Sequence, residues 1–145
     1  SAAPATSAIT SDNNIIWITA TAMAAGLCGI LAGYRKTWNY AFLAVAFVGY
    51  LISSALTLNE LLQQTLATSH ALEAVKFAVF TYLTIHLMLG AVFSAFCGFR
   101  LYRGYISSVR QNDLLIARLW HGYCLVVTVV AASYPFIFTV ALKGN

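Results

Sequence analysis

Long apolar runs broken by short polar segments dominate the chain. Residues 14–34, 37–59, 77–99 and 119–142 contain no charged side chain. A helix rises about 1.5 Å per residue, so each run is long enough to cross about 30 Å of hydrocarbon. Period-two alternation is missing from all of them, which disfavours a membrane barrel. The pattern predicts an all-α fold: an integral membrane four-helix bundle with spans at about 14–34, 37–59, 77–99 and 119–142, in one domain covering 14–145. Residues 1–13 are small and polar with one proline, and are expected to form a flexible tail. Since Ser1 is not preceded by Met, removal of an initiator Met or of a longer targeting segment is expected.

Composition sharpens this reading. Of the 145 residues, 61% are apolar and 8% charged, and the mean hydropathy is +0.80. A soluble domain carries about a quarter charged residues, so a soluble globule, a disordered chain and a disulfide scaffold are excluded. Eight Lys/Arg against four Asp/Glu give a formal charge of +4. In a membrane chain that bias records orientation and lipid contact, not nucleic-acid binding. Arg35 and Lys36 separate the first two spans; Arg100, Arg103, Arg110 and Arg118 lie between the last two, against Asp113. Glu60 and Glu73 flank the second loop with Lys76, Asp12 precedes the first span and Lys143 follows the last. The positive-inside rule puts loops 1 and 3 inside, and both termini with loop 2 outside.

Small residues suggest where the helices touch. Ala25, Gly29 and Gly33 recur every fourth residue, as do Gly90, Ser94 and Gly98, so each set falls on one face where backbones can approach. Cys28, Cys97 and Cys124 lie within apolar runs without C-x-x-C spacing and read as packing residues. Pro135 is expected to loosen or kink the outer half of helix 4.

Polar groups within spans are the first candidates for chemistry. Measured from the charged residues bounding the inner ends, His86 lies about 20 Å deep and His121 about 3 Å. That mismatch argues against a haem shared between them, and His86 is read as an imidazole bonded to a neighbouring helix. His70 falls in the outer loop. Glu60 is placed at the outer end of helix 2, leaving no carboxylate inside a span, so a pump or channel is not indicated. No phosphate loop, zinc cluster or Ser/His/Asp set is present. Arg100, Arg103, Arg118 and His121 gather at the inner end, where cationic side chains can hold a lipid phosphate.

The run His86-Leu-Met-Leu-Gly90, Phe93, Cys97, Arg100 resembles the H-x-x-x-G-x-x-F-x-x-x-C-x-x-R helix of cytochrome c oxidase subunit III. Trp120-His121 is similar to the W-H opening that family's last helix, Gly33-Tyr34-Arg35-Lys36 to its G-N-R-K turn, and Leu56 to Leu61 to its L-Q-x-x-E-Y. The first histidine of the family's H-G-L-H is Leu83 here, the aspartate of W-H-F-x-D is Cys124, and the glutamine is Thr57. The family's earlier helices, including one with an embedded glutamate, have no counterpart.

The resemblance implies the C-terminal four helices of a subunit III, either reduced or split. It implies a non-catalytic subunit of a respiratory haem–copper oxidase, packed on catalytic subunit I and ordering phospholipids. A separate chain would supply the missing N-terminal helices. Haem and copper would sit in partner subunits, with no cofactor or metal on this chain. It also links Arg100 to phospholipid headgroups. The expected location is the mitochondrial inner membrane, ahead of the bacterial plasma membrane. A four-helix b-type cytochrome or quinone-site anchor is the alternative, and a nitric oxide reductase accessory protein of the same fold a further one.

Overall fold

The computed structural model describes residues 5–32, 39–63, 71–107 and 111–143, with side chains for 13–32, 39–63, 74–107 and 111–134. Gly33 to Lys36, His70 and Arg110 lie outside the described residues, as do the side chains of Asp12, Glu73, Pro135 and Lys143. The described residues form four helices: α1 (Ala5–Leu31), α2 (Asn39–Gln63), α3 (Ala71–Tyr102) and α4 (Asn112–Lys143). All four are long and apolar enough to cross a membrane, and no strand occurs among the described residues.

Each helix packs on its chain neighbours, and α4 closes back on α1. The buried stripes recur at three- and four-residue steps, the period of one helix face. They are Ile18, Ala22, Ala25 on α1 and Leu43, Ala46, Tyr50, Ser53, Thr57, Glu60 on α2. Leu83, Leu87, Ala91, Ser94, Cys97 follow on α3, and Leu114, Ala117, His121, Cys124, Thr128 on α4. The outward faces are aliphatic and aromatic: Ile16, Trp17, Val92, Leu119, Val126 and Val130 are all at least 60% exposed. An outer surface of apolar side chains, with the polar groups of the spans turned into a largely apolar interior, suits a bundle surrounded by lipid.

Several boundaries differ from the sequence reading. The first helix starts at Ala5, within the expected tail, because its alanines, serines and threonines carry no helix breaker. Charged residues fall inside helices, not only between them. Arg100 occupies the last turn of α3, and Arg118 lies in the second turn of α4. Helix α3 ends in a Schellman turn: Gly104 has φ +74°, its N–H donates to Leu101 O, and the Tyr105 N–H donates to Arg100 O. At the start of α4 the Gln111 carbonyl accepts from Leu115 N–H, and Asp113 in the first turn opposes the helix dipole. The helix continues through Pro135 to Lys143.

The small-residue stripes pack as expected at Ala25, Gly29, Gly90 and Ser94, which are buried. Gly98 does not. A side chain there would meet nothing within 4 Å, and Cys97 takes the inward position.

Candidate functional site

The middle of the bundle is one layer to which every helix contributes. Tyr50 on α2 and His121 on α4 are fully buried and meet across the diagonal, Oη to Nδ1 at 3.0 Å. The rings lie nearly parallel, 12° apart, with centroids separated by 5.5 Å. Two glycines create the room. A Cβ on Gly29 of α1 would overlap the His121 ring, and one on Gly90 of α3 would sit 3.0 Å from the Tyr50 ring. No larger residue fits at Gly29 without displacing His121. The Nε2 of His121 finds no partner among the described residues. An unpaired acceptor is more readily tolerated than an unpaired N–H, which favours the tautomer in which Nδ1–H donates to Tyr50.

A polar seam runs from this layer along α2. The Ser53 hydroxyl lies 2.7 Å from that of Thr21 on α1, and the Thr57 hydroxyl 2.9 Å from that of Thr84 on α3. One turn further, Asn14 Nδ2 on α1 donates to Glu60 Oε1 at 2.5 Å. Glu60 is 5% exposed and lies near the end of α2, where it is expected, with its side chain turned into the bundle. Ending α2 at its first charge hid the last turn, which carries Glu60 inward.

At the opposite end Arg100 Nε pairs with Asp113 Oδ2 at 2.7 Å, and its guanidinium lies over Phe96 and Tyr105. Arg103 is exposed over Phe99, and Arg118 is half-buried. The four cations expected around one headgroup are not all brought together. His121 faces α1 and α2 in the interior, so it cannot reach a headgroup. Its distance from the first charged residue concealed that Asn112 to Arg118 are already helix.

His86 lies at the level of His121, which corrects the expected depth mismatch. Its ring stacks on Trp120 at 5.7 Å and approaches Tyr123 at 5.3 Å, while Cys124 Sγ donates to its backbone carbonyl at 3.5 Å. Arg100 of α3 meets Asp113 in the first turn of α4, whereas the sequence count set Phe99 against Leu119. Even so, the two imidazoles are engaged on different sides of α4. His86 Nδ1–H donates to Tyr82 O at 2.7 Å, as a hydrogen bond within its own helix. Tyr123 Oη lies 3.5 Å from His86 Nε2 and also bonds Tyr82 Oη.

Tyr50, Thr84, Tyr82 and Tyr123 carry these contacts and were not singled out from sequence. A tyrosine facing a glycine on another helix leaves no local signal. The inward period through Tyr50, Ser53, Thr57 and Glu60 was the available clue. Comparison with family models, with curated proteins and with solved structures returned no match for this chain.

Proposed function

We propose that the chain is a non-catalytic membrane subunit of a respiratory haem–copper terminal oxidase, similar to the last four helices of a subunit III. The observation carrying this reading is the ordered run His86, Gly90, Phe93, Cys97, Arg100, followed by Trp120-His121. Its members hold packing positions that a shared architecture would need. Gly90 receives the Tyr50 ring, Cys97 and His121 are buried, and Arg100 binds the first turn of the next helix.

The bundle supports catalytic subunit I, and haem and copper belong to partner chains. Arg103 and Arg118 contact lipid phosphates at the inner face, with both termini outside. The complex resides in the mitochondrial inner membrane. The competing haem-bearing reading no longer meets a depth objection, but it meets one of direction, because His86 and His121 serve different sides of α4.

The test is to purify the oxidase with and without this chain and follow assembly and activity over repeated turnover. Loss of assembly or faster inactivation without the chain is expected. An intact complex with unchanged durability would contradict the proposal.

A further inference from the structure

Among the described tyrosines, two are exposed in the central part of the bundle, Tyr82 at 49% and Tyr123 at 40%. Tyr50 is fully buried, and the other exposed ones, Tyr40, Tyr102 and Tyr105, lie at helix ends or beyond them. The Tyr82 and Tyr123 hydroxyls bond each other, which places a pair of phenols on the outer surface at the depth of the hydrocarbon. Both rings are braced from behind. Tyr82 packs on the His86 ring at 4.0 Å between centroids, and Tyr123 on His86 and Trp120 at 5.3 and 5.6 Å. Polar groups inside a membrane ordinarily face a bundle interior or a wet cavity and mark function. This pair faces outward.

Phenols stop the chain oxidation of unsaturated lipid by giving up a hydrogen atom. The phenolic O–H bond breaks and a hydroperoxide O–H bond forms. The lipid peroxyl radical is reduced by one electron, and the phenol is oxidised to a neutral phenoxyl radical. No charge is created, so an apolar medium does not oppose the step. A phenoxyl oxygen is stabilised when it accepts a hydrogen bond, as in a catechol.

The tyrosine pair supplies that bond whichever hydroxyl donates to the other. If Tyr82 donates, the hydrogen outside the shared bond belongs to Tyr123, whose radical oxygen keeps accepting from Tyr82. If Tyr123 donates, the roles exchange. His86 Nε2, 3.5 Å from Tyr123 Oη, is too distant to hold that hydrogen tightly.

We propose that Tyr82 and Tyr123 form a radical-scavenging site whose substrates are the peroxyl radicals of oxidised polyunsaturated acyl chains. Such radicals arise on mid-chain carbons, deep in the hydrocarbon, where a hydrophilic scavenger does not reach. The inference goes beyond the oxidase reading and does not depend on it.

The test reconstitutes the chain, in the assembly with which it purifies in mild detergent, into vesicles of dilinoleoyl phosphatidylcholine. A lipid-soluble azo initiator starts oxidation, and lipid hydroperoxide is followed with time. Tyr82→Phe, Tyr123→Phe, the double variant and Tyr102→Phe as an exposed control are compared with the parent. The parent should slow hydroperoxide formation several-fold, Tyr102→Phe should match it, and the double variant should lose most of the effect. Each single variant should lose well over half, because the remaining phenoxyl lacks its hydrogen bond. Mass spectrometry of the oxidised parent chain, which needs no variant to fold, should find oxygenated tyrosine at 82 and 123 ahead of 40, 102 and 105. A double variant that protects as well as the parent would overturn the proposal. So would single variants that each keep half of the effect, as independent phenols do, or oxidation of the parent that spares both positions.

Discussion

Tyr50 and His121 hydrogen bond across the diagonal of the bundle at 3.0 Å, linking two helices that are not neighbours in the ring. The contact exists because Gly29 and Gly90 vacate the space the two rings fill. Tyr50→Phe keeps the ring and removes the bond, leaving His121 without a partner at either nitrogen. Interhelical hydrogen bonds in membranes average about 0.6 and reach about 1.7 kcal/mol. A loss of about 0.6–1.7 kcal/mol is expected in a denaturing-detergent titration. A double-mutant cycle with His121→Leu should show coupling between the two positions.

The glycines should separate by environment. Gly29→Ala forces a methyl into the His121 ring, and Gly90→Ala presses on Tyr50, so losses of about 1–3 kcal/mol are expected, larger at Gly29. Gly98→Ala and Gly122→Ala meet nothing within 4 Å and should gain up to about 1 kcal/mol from helix propensity. The same detergent titration ranks all four.

Asn14→Ala leaves the buried Glu60 side chain without its amide donor, at a cost of about 1–3 kcal/mol. Glu60→Gln combined with Asn14→Ala should recover part of that loss, because a neutral amide is less costly to bury. Thermal aggregation of detergent-purified variants reports the order.

The Arg100–Asp113 pair is about one-third exposed on each side, so its contribution should be small, about 0.2–1 kcal/mol in a double-mutant cycle. The pair also marks the register of α3 against α4. Asp113→Ala should increase crosslinking of α3 to α4 at shifted cysteine pairs, whereas Arg103→Ala should leave the register unchanged.

The count of helices and their approximate centres were legible because four uninterrupted apolar runs admit one reading. Their ends were not, since charge was taken as the boundary. Arg118 lies on a helix whose start is marked by Asp113 and by the apolar run Leu114 to Ala117, and Glu60 turns inward one turn before α2 ends. That displacement also misplaced His121, and with it the comparison of histidine depths. The small-residue stripes located Gly29 and Gly90 but could not say what fills them, because Tyr50 and His121 arrive from helices distant in sequence.

The oxidase assignment is tested most directly by tagging this chain, purifying it in mild detergent from its native membrane, and recording a reduced-minus-oxidised spectrum alongside identification of the co-purifying chains. The proposal predicts stoichiometric recovery of a haem–copper catalytic subunit, with the haem signal retained by that subunit after this chain is dissociated. Recovery without any haem–copper subunit, or a haem band that stays with the isolated chain, would contradict it.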